Sequence, residues 1–263
     1  MAATHSATAL ITGASSGIGR SFAYLFARDG YGLVLVARRG EALEELAAEL
    51  SREHGVTVRV MAIDLALADA PARLAADLQQ AGVGVDVLVN NAGFGLQGAF
   101  AALPVDRQLQ MIHLNVAALT ALTRLFLPAM LERGGGGILN VGSTAGFQPG
   151  PFMAVYYATK AYVVSFSEAL ADELSGSGLR VTCLAPGPTA TAFAAEAGAT
   201  DSRLFQGGTM SVDEVARIGY EAWQQGKFLV IAGRRNWWRT LAVRLLPRAT
   251  VRRIVRGLNT QPD

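Results

Sequence analysis

The sequence predicts one α/β domain, built on a doubly wound, seven-stranded parallel sheet flanked by helices and followed by a basic, amphipathic helical extension. Three observations carry this. Short β-rich apolar runs alternate with amphipathic helical patterns along most of the 263 residues. The runs are continuously apolar, as strands buried on both faces of a parallel sheet require. The first of them opens into a glycine-rich turn at the start of a helix.

The strands are expected at 8–12, 32–37, 57–64, 85–90, 138–143, 179–185 and 228–232. The helices are expected at 17–29, 41–54, 70–80, 105–133, 155–174 and 212–224. The last is announced by Ser211 with Glu214 three residues on, the pattern of a capping box. No interdomain linker interrupts this alternation, so residues 1–263 read as a single domain. Residues 188–210 form the one long stretch without clear periodicity, and a loop of that size in a compact domain is expected to be a substrate lid.

Composition bounds the function. With 51% hydrophobic and 17% charged residues and 29 glycines, the chain is neither disordered nor fibrous. The lone Cys183 excludes an internal disulfide framework and suits a reducing compartment, so a cytoplasmic location is expected. Residues 1–8 lack the pattern of a secretory signal, and Arg or Asp breaks every long apolar run. The three histidines His5, His54 and His113 share no metal-ligand spacing, and no metal is expected. Net charge is only +2, but residues 234–263 hold eight arginines against Asp263, a balance of +7 that leaves the first 233 residues at −5.

In an open parallel sheet, chemistry is sought in the loops at the carboxyl ends of the strands. The first such loop holds Gly13, Ser15, Ser16, Gly17, Ile18 and Gly19. Its glycines admit a pyrophosphate close to the backbone, and the helix N-terminus offers it free N–H groups. The second strand ends in Arg38 and Arg39, with no acid there to accept the adenosine ribose 2′-hydroxyl. Two guanidiniums suit a 2′-phosphate, so NADP(H) is expected over NAD(H).

Further along lie Asp64 and Leu65 after the third strand, Asn91, Ala92 and Gly93 after the fourth, Asn115 in the long helix and Ser143 at the end of the fifth strand. Tyr156 and Lys160 follow, four apart and so on one face of a helix. Tyr157, three residues from Lys160, is a rival phenol that helical periodicity does not eliminate. Pro186 and Gly187, with Thr189 and Thr191 beyond, close the series.

In these residues, at this order and spacing across about 6–233, the chain resembles the short-chain dehydrogenase/reductase family. The resemblance implies a Rossmann-type fold and hydride transfer between a nicotinamide and a carbonyl/alcohol pair. It implies Asn115, Ser143, Tyr156 and Lys160 as the catalytic tetrad and selects Tyr156 over Tyr157. Tyr156 would move the proton, with its pKa lowered by the Lys160 ammonium. Lys160 would hold the nicotinamide ribose, Ser143 would bond the substrate oxygen, and Asn115 would hold a water that supplies protons. Arg fills 21 of the 23 basic positions, yet position 160 keeps lysine, whose compact ammonium is the more tunable group. Homodimers or homotetramers through the helices at 105–133 and 155–174 are implied as well. No nucleic-acid partner is expected. The alternative is a non-catalytic NADP(H)-binding redox sensor, which would have no need of proton-transfer residues.

Phe94, Phe147, Phe152, Phe193 and Phe205 sit in the carboxyl-edge loops, so with Ser143 and Tyr156 they are expected to form an apolar pocket for a lipophilic ketone or secondary alcohol. In the tail, Trp237, Trp238, Leu241 and Leu245 precede Pro247, and Val251, Ile254, Val255 and Leu258 follow at helical spacing. This stripe is expected to pack on the body or on a partner subunit, with peripheral contact to an anionic membrane as the alternative.

Overall fold

Each apolar run becomes a strand. In the computed structural model, β1 (Thr8–Thr12), β2 (Gly32–Ala37), β3 (Val58–Ala62), β4 (Val87–Asn90), β5 (Gly137–Val141), β6 (Arg180–Ala185) and β7 (Leu229–Ile231) pair in parallel. Their order is β3-β2-β1-β4-β5-β6-β7. Residues 7–260 are described, except Asp201 and Gly207. His5 and most of the stretch read for a signal pattern, one position on each side of the lid's second half, and the last three tail residues lie outside them. The strand order reverses between β1 and β4, and the loops at their carboxyl ends open a crevice there.

Helices cover both faces. On one side α1 (Gly17–Arg28), α2 (Gly40–His54) and α9 (Val212–Gln224) bury Phe22, Phe26, Leu43, Leu46, Leu50, Tyr220 and Trp223 against the sheet. Phe26 meets the Tyr220 and Trp223 rings at 4.8 and 5.5 Å, an aromatic joint between the first and last helices of that layer. Truncating such a ring to alanine costs about 3–5 kcal/mol. On the other side α3 (Ala70–Gln80), α5 (Leu119–Arg133) and α6 (Ala154–Glu173) bury Leu74, Leu78, Leu122, Met130 and Leu170. Ser211 caps α9 as its motif predicts, its Oγ accepting the Glu214 N–H at 3.2 Å.

The helix expected at 105–133 is continuous but not uniform. It runs as α4 (Val105–Ile112), a wider π turn at His113–Ala118, and α5. By length and composition it is the one described helix able to cross a membrane, with a mean hydropathy of 1.5 over its best window. One side of it nevertheless lies on the domain, with Leu119, Leu122 and Met130 buried.

One expectation changes. Residues 188–210 contain short helical turns, α7 (Phe193–Glu196) and α8 (Arg203–Gln206), each of 4 residues and too brief for periodicity to register. The tail is two helices, α10 (Arg234–Leu245) and α11 (Arg248–Asn259), parted at Pro247. Val251 and Val255 of α11 join Met153, Tyr157, Ala197 and Ala199 in a small core beside the lid. The expected packing of the tail on the body is therefore what the fold adopts.

Candidate active site

The loop after β1 and the loop after β4 are held together by one hydroxyl. Thr12 Oγ1 donates to the Val89 carbonyl at 3.1 Å and accepts the N–H groups of Asn91 and Ala92 at 2.9 and 3.0 Å. Asn91 returns a hydrogen bond from Nδ2 to the Thr12 carbonyl at 2.8 Å. Gly13 lies in the left-handed region at φ +67°, and a Cβ there would stand 2.8 Å from Asn91 Nδ2. A Cβ on Gly19 would stand 2.4 Å from the Gly13 carbonyl oxygen. Gly19 is buried and packs α1 against the loop, so of the expected cofactor glycines it is the one that serves contact between elements and does not line the crevice.

The crevice is an open cleft with a cavity volume of about 290 Å³, at the lower edge of the ~300–1,000 Å³ typical of ligand pockets. Its lining brings together Gly13, Ser15, Ser16, Gly17, Ile18, Arg38, Arg39, Asp64, Leu65, Asn91, Ala92, Gly93, Pro186, Gly187, Thr189 and Thr191. These residues fit a dinucleotide. Ser16 precedes α1 without capping it through its side chain, and the first turn holds no acid, so that N-terminus presents its N–H groups and positive dipole to an anion. Arg39 folds across the loop, donating to Ser15 Oγ at 3.2 Å, and Arg38 stands exposed beside it.

Beyond the switch point Ser143 starts a tight turn after β5, its Oγ accepting the Ala145 N–H at 3.1 Å. From α6, Tyr156 lines the same cleft as Ser143. Burial pushes this phenol up from its ordinary value, and the nearby Ser143 hydroxyl opposes the rise. The ammonium was expected to lower it. In the free protein Lys160 instead donates to the Val141 carbonyl at 2.8 Å and sits 5.9 Å from the Tyr156 ring centroid. Tyr157, the rival phenol, also lines the cleft, but its hydroxyl donates to Asn259 Oδ1 of α11 at 3.2 Å.

Burial also brings the Lys160 ammonium down to about 8 from an ordinary 10.5. Between those values the unfolded chain holds a proton that the folded protein has released, so stability rises with pH there. From pH 7.5 to 9.5 this group should add about 2 kcal/mol to the cofactor-free protein. Thermal unfolding of wild type and Lys160→Met at both pH values measures it. The wild type should gain more than the variant, and equal pH dependence would exclude a depressed Lys160.

Asn115 does not reach the cleft. The π turn of the long helix aims its amide at the loop after β4, where Oδ1 accepts the Phe94 N–H at 3.1 Å and Nδ2 donates to the Phe94 carbonyl at 2.9 Å and to Thr159 Oγ1 at 3.1 Å. It is a positioning residue, bracing a loop that the cleft shares with α6.

The expected substrate residues divide. Phe94, Phe193 and Phe205 line the cleft, with Phe193 5.1 Å from the Tyr156 ring. Phe147 and Phe152 do not. Phe147 packs inward on Leu119, Val163, Val164 and Cys183. Phe152 has a left-handed φ of 65° that carries its ring out of the cleft, and Arg256 of α11 lies 5.5 Å over it. Met153, Gln148 and Leu204 line the cleft in addition, and no motif announces them. Among the described residues no group of three or more His, Cys, Asp or Glu side chains is placed to hold a metal ion.

Residues 7–202 match the family model for short chain dehydrogenase. The chain belongs to this family. It is 38% identical over 177 residues to a very-long-chain 3-oxoacyl-CoA reductase of Laccaria bicolor, a match that covers 66% of this chain and 52% of that enzyme. The chain thus spans about half the length of that relative. It is 43% identical over 186 residues to a sulfoacetaldehyde reductase of Chromohalobacter salexigens, covering 70% of this chain and 72% of the relative. Among solved structures, a short-chain dehydrogenase from Sphingobium yanoikuyae in complex with NADPH superposes with a TM-score of 0.80 at 37% identity, over 90% of this chain and 92% of that one.

Proposed function

We propose that this short-chain dehydrogenase interconverts a lipophilic ketone and its secondary alcohol with NADP(H), using Tyr156 as the general acid and base. The observation that carries the reading is that Tyr156 and Ser143 line one cleft together, between an arginine-flanked nucleotide end and the apolar side chains of the lid. NADPH, when bound, supplies the hydride for the carbonyl carbon. Tyr156 then delivers its proton to the carbonyl oxygen, so that hydride and proton together make the alcohol, and the reverse direction returns the proton to the phenolate. Ser143 orients that oxygen and supports its developing charge. Lys160 holds positive charge near the ring and stabilises the phenolate. Arg38 and Arg39, and the bound NADPH of the Sphingobium relative, support the phosphorylated cofactor.

The substrate class follows from the lining. Phe94, Met153, Phe193, Leu204 and Phe205 are apolar, and among the described residues the one charged group the lid adds to the cleft is the Glu196 carboxylate. That environment suits an acyl chain or another bulky apolar ketone and repels a sulfonate, so this chain parts from the sulfoacetaldehyde enzyme in substrate. Residues 188–210 would act as the lid over it. Homo-oligomers through the exposed apolar side of α4, α5 and α6 (Leu109, Leu125, Leu131, Tyr162) belong to the same reading. NADPH consumption over ketones of graded chain length, with sulfoacetaldehyde as a control, tests it. The specificity constant should climb by about tenfold for each two or so methylenes buried. Preference for the sulfonate, or no turnover of any carbonyl despite NADPH binding, would overturn the reading, the latter in favour of a redox sensor.

A further inference from the structure

The tail takes no part in the chemistry above, yet it carries the most distinctive surface of the chain. From Arg234 to Thr260 it holds eight arginines and no acidic residue. Its inner side is occupied, with Asn236 and Thr240 of α10 and Val251, Val255 and Asn259 of α11 buried on the body. Its outer side is uncovered. Trp238 is 61% exposed and Leu245 80%, and Trp237, Leu246 and Ile254 are exposed too. Trp238 and Leu245 are two turns apart, so they stand in line on α10, on the side away from Asn236 and Thr240. Arg234, Arg235, Arg239 and Arg244 border that line, and Arg252, Arg253 and Arg256 face outward from α11.

We propose that α10 and α11 form a docking surface for an anionic lipid bilayer, with α10 lying in the interface, Trp238 and Leu245 in the acyl boundary and the arginines on the headgroups. Charge selects this occupant. A second copy presenting the same face would set eight arginines against eight, whereas an anionic leaflet attracts each basic residue by about 1 kcal/mol. The apolar line separates lipid from a polyanion such as nucleic acid, which would satisfy the arginines and leave Trp238 and Leu245 in water. Tryptophan suits the boundary because its ring is apolar and its N–H polar. Burial and the neighbouring Arg235 hold the Arg239 guanidinium below its ordinary value, like-charge crowding that an anionic headgroup relieves.

The test is co-flotation of the full chain with phosphatidylcholine vesicles, with and without phosphatidylglycerol. Binding is expected only with the anionic lipid and should weaken with salt. Trp238→Ser/Leu245→Ser should lower it by about tenfold while NADPH affinity, the check on folding, stays unchanged. Brominated acyl chains should quench the tail tryptophans, since Trp223, the third tryptophan, is 1% exposed. No flotation with anionic vesicles, or flotation indifferent to the double substitution, would overturn the proposal. So would a double variant that sediments as a smaller species, which would make the face a contact between copies.

Discussion

Tyr156→Phe is expected to lower turnover by about 10³-fold and to leave NADPH affinity within about twofold. The substitution keeps the ring, and with it the contact to Phe193 at 5.1 Å, while removing the phenolic hydroxyl from the cleft. Proton delivery is lost and the shape of the cleft is not. Tyr157→Phe is the matched control. Its hydroxyl binds Asn259 outside the reacting centre, so it should cost about 1 kcal/mol of stability and little turnover. Steady-state kinetics beside cofactor titration separates the two. A Tyr156→Phe enzyme working near the wild-type rate would remove Tyr156 from the proton step and with it the proposed mechanism.

Arg38→Asp is expected to raise the Kd for NADPH by about 10²-fold while changing that for NADH far less. A hydrogen bond to a charged phosphate is worth about 1.5–3 kcal/mol, and the new carboxylate adds repulsion where it would otherwise accept a ribose hydroxyl. Arg39→Ala should have the smaller effect, because part of its donor capacity already goes to Ser15. Fluorescence titration with both nucleotides decides it, and equal losses for the two would mean that Arg38 does not meet a 2′-phosphate.

What could be read in advance follows the range of the interactions involved. The strands and α1 were legible because apolar runs and a glycine turn are local signals, and the seven strands formed within two residues of their expected ends. Ser143, Tyr156 and Lys160 line one cleft, a grouping that the family resemblance implied and that helix periodicity alone left open. The fate of aromatic side chains was not. Phe147 and Phe152 sit in the same loop region as Met153, but rotation of the backbone sends one into the core, one beneath Arg256 and only Met153 into the cleft. The role of Asn115 was hidden for a related reason, because the π turn that re-aims its amide leaves no mark in composition. Helix periodicity left Tyr157 level with Tyr156, and the structure gives its hydroxyl a partner 102 residues away.

That distant partner bears on how the protein comes into being. Asn259 is buried in the last turn of α11, where Nδ2 donates to the Pro151 carbonyl at 2.9 Å, Oδ1 accepts from Tyr157, and its own carbonyl accepts from the Gln97 side chain. It ties down the loops after β4 and β5 and the helix of the reacting tyrosine. The nucleotide end draws on residues beyond β6, since Thr189 and Thr191 line it and α1 packs on α9. The substrate wall closes on Asn259, which lies 102 residues beyond Tyr157. Both ends of the cleft therefore rest on contacts between distant parts of the chain, and the wall around the reacting tyrosine is complete only when α11 has docked.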